Sequence, residues 1–441
     1  LAGSALLLIL WSFAVPVFEA PDEPHHWQYA QYLRQNKKLP FYDSRFVEAN
    51  QPPTYYLIVA PFASPSDTPP LAIRSDSAGR IISASPPRFF VNTKTDFGRY
   101  WPLRITRLVT CILSLFTVYF AYVTGTEAVG NSSAGLLAGG LTAFLPQFTF
   151  RGMNISNDAL VAATSAAAVY LLLRLAKRGF TRKLGLITAL AIATAVLSKV
   201  NAIFLPAPFA LVVLTEKGNW LERIKRLWVL GAGLLVITPW LVYNTKLYGD
   251  PLVSRATFTA VPGLIVPRTI TSAYFRTEFP VLLWHSFIGV FGWFDVIPPY
   301  WLYRFFGAIG LLGIIGYAFH LVQHPADRRP ALVLLSVPVL ALLAVIEYNL
   351  TLSQPQGRFL FPALTAIAVV IAIGLSELPG WGRRCTNLTV IALALVNVVV
   401  LTGTIVPAYW VFPKDYAHLS EVFVSPAEMR MGDRPLSPGT N

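Results

Sequence analysis

Residues 359–377 read FLFPALTAIAVVIAIGLSE, eighteen uncharged positions before Glu377 closes the run. At ~1.5 Å of rise per residue, such a run crosses the ~30 Å hydrocarbon layer of a bilayer as a single helix. Comparable apolar runs fall near 1–18, 103–124, 133–150, 158–175, 184–199, 201–215, 227–245, 301–322, 331–349 and 386–406. The chain is therefore expected to be an all-α polytopic membrane protein of about eleven transmembrane helices. Lipid offers no partner for backbone N–H and C=O groups, so each span must be helical, and the alternating pattern of a barrel strand is missing. Composition agrees: 54% of residues are hydrophobic and only 13% charged, with a mean hydropathy of +0.54. That balance lies far from the usual soluble domain. Pro206, Pro239 and Pro338 are expected to kink helices rather than forbid them.

Lys and Arg accumulate in short cytoplasmic loops, and four such loops fall on one face. They hold Lys177, Arg178, Arg182 and Lys183; Lys217, Arg223, Lys225 and Arg226; Arg328 and Arg329; and Arg383 and Arg384. With the N-terminus also cytoplasmic, the first run acts as an anchor, because Ala20-Pro21 and the acids after it make a poor signal cleavage site. A transmembrane domain over 1–406 then carries two long extracytoplasmic loops, 19–102 with interfacial helices and 246–300, followed by an extracytoplasmic tail, 407–441. The net charge of +13 sits in loops flanking spans. No basic-aromatic groove accompanies it, so membrane lipid is the expected partner and nucleic acid is not. Cys111 and Cys385 fall on opposite sides and are not expected to pair.

The outer loops hold the candidate chemistry. Glu19-Ala20-Pro21-Asp22-Glu23-Pro24-His25-His26-Trp27 opens a helix at a membrane surface. One reading makes Asp22 an N-cap and Trp27, Tyr29 and Tyr32 an interfacial belt. The other gives two acids and two histidines at the mouth of a cavity, able to supply a general base and substrate ligands. Asn50-Gln51-Pro52-Pro53-Thr54-Tyr55-Tyr56 adds a rigid turn and a short aromatic segment expected to lie in the interface. Asn157 and Asp158 open the next long span as a cap or as a site. Lys199 is a charge at membrane depth, functional or snorkelling. The segment 286–296 offers an aromatic, Gly-spaced surface with one acid, Asp295, read as a lipid-facing crossover helix. Arg358 stands at the outer end of its span, where a guanidinium can grip a phosphate or simply anchor the helix.

The ordered set resembles the GT-C glycosyltransferases: an Asp-Glu pair after the first helix, Pro-Pro-x-Tyr-Tyr, Asn-Asp, Ser-Lys, and Gln356-Gly357-Arg358. It is similar to the protein O-mannosyltransferase and aminoarabinose transferase group, and closer still to a bacterial branch with Asp-Glu-Pro-x-His, Phe-Gly-Trp-x-Asp and Gln-Gly-Arg motifs. The resemblance implies an inverting transferase of the inner membrane with its active site on the outer face. It would move a sugar from a polyprenyl phosphate donor to an envelope polysaccharide, lipid or protein. Asp22 would then be the catalytic base with Glu23 beside it, and His26, Tyr55, Tyr56, Asn157, Asp158, Lys199, Arg358 and Asp295 would bind substrate. No obligatory cofactor is expected, although a divalent metal has ligands in Asp22, Glu23 and His26. The insertion from about Ser64 to Arg99 has no counterpart in the mannosyltransferase pattern. Rival readings are a transporter or flippase for lipid-linked sugars, disfavoured by the lack of a repeat, and an envelope glycan polymerase or ligase.

Overall fold

The computed structural model describes residues 1–43, 46–64, 71–75, 89–90, 100–260, 265–410 and 420–424. Among the described residues, seven helices are long and apolar enough to cross a membrane: Trp101–Val129, Asp158–Arg178, Trp220–Tyr248, Trp301–Gln323, Pro325–Asn349, Gly357–Ser376 and Arg383–Trp410. The other four expected spans are helical but shorter or broken. Ala2–Ala14 has 13 residues and Arg182–Ser198 has 17. Val200–Leu214 is short and opens on a 3-10 turn. The run 133–150 divides into Ser132–Ala143 and Pro146–Met153. Its break has a local cause: Pro146 clashes with a helical predecessor, and Leu145 is driven to an extended ψ of 115°. Pro338, by contrast, sits inside Arg328–Asn349.

Asp158–Arg178 and Gly357–Ser376 are central, each with 72% of its span buried, against 28–44% for the other five. The outer helices turn Leu311, Ile314, Val322 and Leu343 outward, as a lipid-facing surface requires. Close approach in the interior rests on small residues. Gly316 lies against the backbone of Gly374, and Gly313 against Ile371, so Trp301–Gln323 and Gly357–Ser376 run side by side in the same direction.

Over one end of this bundle lies the first long loop, with helices Glu23–Asn36 and Thr54–Val59. Trp27 and Tyr29, expected in an interfacial belt, are instead packed with Tyr55 and Tyr56 against Leu103, Ile155 and Leu160. Folding the loop back on the bundle removes those rings from lipid, while Leu57 and Ile58 on the outer side of the short helix remain exposed. The second loop meets the first where Tyr42 N–H donates to Tyr248 Oη (2.9 Å) and Asn50 Nδ2 to Thr257 Oγ1 (3.1 Å). Leu71–Ser75 pairs antiparallel with both Phe89–Phe90 and Ser420–Val424. Most of the insertion from 64 to 99 lies outside the described residues, as does most of the tail from 411.

The crossover helix expected over 286–296 ends early. Phe279–Ile288 stops before Gly289, and a tight turn follows in which Phe291 and Val296 bridge each other. Gly292 and Phe294 take left-handed φ values of 58° and 69°, which no helix accepts.

Candidate active site

Two left-handed residues, Phe18 and Asp22, with φ of 65° and 66°, fold 18–23 into a hook between the first helix and Glu23–Asn36. Glu23 clasps the hook. Its Oε2 accepts from Phe18 N–H at 2.9 Å, and its Oε1 from Ile155 N–H at 3.1 Å. The same carboxylate takes Arg107 Nε at 2.7 Å and Nη2 at 2.5 Å. The remaining Arg107 donors go to the carbonyls of Ser12, Val15 and Pro16, at 2.7–2.9 Å. All five guanidinium N–H groups are thereby used, three of them on carbonyls at and just beyond the end of the first helix. Both side chains are fully buried. Glu23, one of the two acids expected to be catalytic, is thus held inside the fold.

Asp22, its neighbour, points the other way. Its Oδ2 meets Arg358 Nη2 at 2.7 Å. Arg358 enters from the 3-10 start of Gly357–Ser376, its Nε on Gln356 Oε1 (2.5 Å) and its Nη1 3.5 Å from Asp158 Oδ2. That Nη1 is buried and makes no hydrogen bond. Asp158 is held from two sides, by Arg151 Nε and Nη2 (3.0 and 2.8 Å) on Oδ2 and by Lys199 Nζ on Oδ1 (2.5 Å). Lys199 takes extended backbone at the end of Arg182–Ser198, which aims it inward. Arg151 reaches on to Pro21 C=O at 3.2 Å. Three cations therefore surround two carboxylates in a largely buried cluster.

Residual exposure divides this cluster. Asp158 and Arg151 keep 1–2% of their side-chain surface, whereas Asp22, Lys199 and Arg358 keep 10–12%. The second group is the more exposed. Glu48 joins it at 12%, with Oε2 3.9 Å from His26 Nδ1. Burial, with the charge of Asp22 added, pushes the Glu48 carboxyl up to about 8. Asp22 moves oppositely. Burial would raise it, but the charges of Arg358 and Arg151 and the Arg358 hydrogen bond outweigh burial and hold its carboxyl below the usual range. His26 bonds Tyr56 Oη through Nδ1 (2.7 Å), and burial keeps its imidazole well below its ordinary value.

Asp22, His26, Asp158, Lys199 and Arg358, all expected at the site, come together here. Asn157 sits at its edge, donating to Gln51 Oε1 at 3.3 Å. Tyr56 backs His26, with its ring stacked on Tyr29. Tyr55 lies deeper, its hydroxyl on Thr110 Oγ1 (2.8 Å). Asp295 lies in the turn after Phe291, its carboxylate against Gly292. Arg107, Arg151 and Glu48 were not foreseen. The two arginines had a signal, charge within or at the edge of apolar runs; Glu48 had none beyond its nearness to Asn50-Gln51-Pro52-Pro53. A cavity lined by Pro21, Arg151, Phe294, Gln356 and Arg358 opens beside the cluster.

The chain, a multi-span helical bundle capped on one end by a folded loop, has a GT-C-type fold. Residues 101–243 match the family described as dolichyl-phosphate-mannose-protein mannosyltransferase. This stretch holds Arg107, Arg151, Asp158 and Lys199 but neither Asp22, Glu48 nor Arg358. Among solved structures, the chain is similar to ArnT from Cupriavidus metallidurans bound to undecaprenyl phosphate, with 12% identity and a TM-score of 0.53 over 92% of this chain and 73% of that one. The apo form of the same enzyme matches with the same identity and TM-score over 72% of its chain. None of the curated proteins matches the sequence.

Proposed function

We propose that the protein is an inverting glycosyltransferase that moves a sugar from a polyprenyl phosphate carrier to a cell-envelope acceptor on the outer face of the membrane. The observation that carries this reading is the buried cluster in which Arg151, Lys199 and Arg358 face the ionised Asp22 and Asp158, with Glu48 beside them pushed up to about 8, and in which Arg358 has a hydrogen-bond donor to spare. Such a site favours an anion, and a phosphate monoester or diester at a membrane surface supplies one. Bound undecaprenyl phosphate in the ArnT structure supports the same class of donor.

Asp22 is the base in this proposal. The acceptor hydroxyl attacks the anomeric carbon from the face opposite the phosphate; its oxygen forms the new glycosidic bond while the bond to phosphate oxygen breaks. The hydroxyl proton passes to Asp22. Polyprenyl phosphate departs with the electron pair, its charge met by Arg358 and Lys199. Once Arg358 turns toward phosphate, its hold on Asp22 weakens and the carboxylate becomes more basic. Glu48, protonated at neutral pH, donates to a sugar or acceptor hydroxyl beside it.

The outer-face assignment rests on charge. Asp158 begins a helix whose last residue, Arg178, lies ~30 Å away, paired with Glu127 at 3.0 Å. Arg329 reaches the carbonyls of Ala176 and Val212 at that same end. The basic loops thus gather opposite the site, and basic loops mark the cytoplasm.

The test is transfer of radiolabelled sugar from a panel of polyprenyl phosphate donors to envelope extracts, using protein in lipid with Asp22→Asn as control. Transfer that disappears in the variant while donor binding persists is expected. Equal transfer by Asp22→Asn would remove Asp22 from the mechanism, and binding of every donor without transfer would favour a transport role.

A further inference from the structure

At the far end of Gly357–Ser376, ~30 Å from Arg358, lies a group that the transfer chemistry does not use. Gly316 against Gly374 fixes the register of two parallel helices. One turn further, that register delivers His320 onto Glu377, with Nδ1 and Oε1 2.7 Å apart. His324, four residues on, brings its Nε2 to 3.2 Å from Oε1 and 3.4 Å from Oε2 of the same carboxylate. The three ligand atoms lie within 4.8 Å of one another. Among the described residues this is the only such convergence of His, Cys, Asp and Glu.

We propose that His320, His324 and Glu377 bind a zinc-class divalent transition metal on the face opposite the transfer site. Tetrahedral coordination with bonds of ~2.0–2.2 Å places ligand atoms about 3.3 Å apart; the two histidine nitrogens stand 2.7 and 3.2 Å from Glu377 Oε1, and the three ligand atoms lie inside 4.8 Å. Two imidazoles and one carboxylate form a borderline-soft set suited to Zn²⁺, Co²⁺ or Ni²⁺ rather than Mg²⁺ or Ca²⁺. The site is built rather than incidental. His320 is 6% exposed, and the Tyr317 ring is stacked behind it. Tyr317 is itself tied to Ala331 C=O at 2.7 Å. His324, 45% exposed, leaves a coordination position open to solvent. Without a metal, two imidazoles crowd one carboxylate that a single protonated histidine would satisfy; a metal uses all three groups at once. Nearby Arg328 is engaged on Leu321 C=O at 2.7 Å, but the basic loops on this face oppose a cation. Moderate affinity follows, and the bound metal would clamp two helix ends together.

The experiment is titration of the purified, chelator-treated full chain with Co²⁺ and Zn²⁺. Wild type should develop the visible absorption of four-coordinate Co²⁺, retain about one Zn²⁺ per chain, and gain in thermal midpoint on adding Zn²⁺. His324→Ala, at a half-exposed position where folding is safe, and Glu377→Gln should each weaken binding at least ~10-fold and lose the thermal gain. Asp22→Asn should keep both signals. Absence of binding by wild type at submillimolar metal, or binding that neither His324→Ala nor Glu377→Gln weakens, would overturn the proposal. Either result is independent of sugar transfer.

Discussion

Asp22 Oδ2 and Arg358 Nη2 meet at 2.7 Å from opposite ends of the chain, one on the hook after the first helix and the other at the mouth of a central span. In the proposed reaction their contact sets base and anion-binding group side by side, and a donor phosphate would enter by taking over the guanidinium.

Arg358→Lys should therefore lower kcat by ~10²–10³. One ammonium cannot at once face Asp22, Asp158 and a phosphate through a planar fork. Steady-state kinetics with a polyprenyl phosphate donor is the measurement; a kcat within a few-fold of wild type would remove Arg358 from the leaving-group side.

Glu23→Gln and Asp22→Asn should separate cleanly. The first leaves the fully buried Arg107 without its countercharge and should cost ~3–5 kcal/mol, read as a large fall in thermal midpoint. The second breaks the less deeply buried Asp22–Arg358 pair, where Arg358 still faces Asp158, and should lower that midpoint by less than the first while abolishing transfer. If Glu23→Gln were as stable as wild type, the clasp would not be holding the fold.

Glu48 gives the pH dependence. Its carboxyl sits at about 8 against an ordinary 4.5. Between those values the folded chain holds a proton that the unfolded chain lacks, so Glu48 makes stability fall as pH rises from about 4.5 to about 8, with no further change above. Glu48→Gln should flatten that slope in thermal midpoints taken from pH 5 to pH 9. In wild type, kcat/KM should also decline above about 8 as the group ionises and ceases to donate; an identical profile in Glu48→Gln would refute both expectations.

Gly316→Ala would drive a methyl group into the backbone of Gly374, whereas Gly231→Ala meets nothing within 4 Å. The first should cost ~1–3 kcal/mol, and the second should be neutral or slightly stabilising. Comparable thermal midpoints for the two would show that the parallel helix pair can separate without penalty.

Spans without interruption, such as 359–377, were legible because lipid demands long apolar helices. The break before Pro146 was less so, since hydropathy is blind to the restriction proline places on Leu145. Ordered polar motifs located Asp22, Asp158, Lys199 and Arg358, but pattern alone could not tell which of two adjacent acids joins the Arg358 cluster; that depends on the left-handed turn at Asp22 and on Arg107 arriving from another helix. Glu48 escaped because only three-dimensional proximity to Asp22 and His26 sets it apart. The structure sets Tyr55, an expected substrate ligand, in aromatic packing and Asp295, another, in a turn, placements made by loop folding that sequence spacing does not encode.

The hook between Phe18 and Glu23 has a consequence for how the chain tolerates change. A single peptide unit joins Glu23, committed to architecture, with Asp22, the base of the proposed reaction. Loosening of Trp101–Val129, which carries Arg107, would reach Asp22 as an error of aim before it appeared as loss of fold. Substitutions far from the substrate can thus leave an intact, well-packed protein that transfers poorly, and an inactive variant need not be an unstable one.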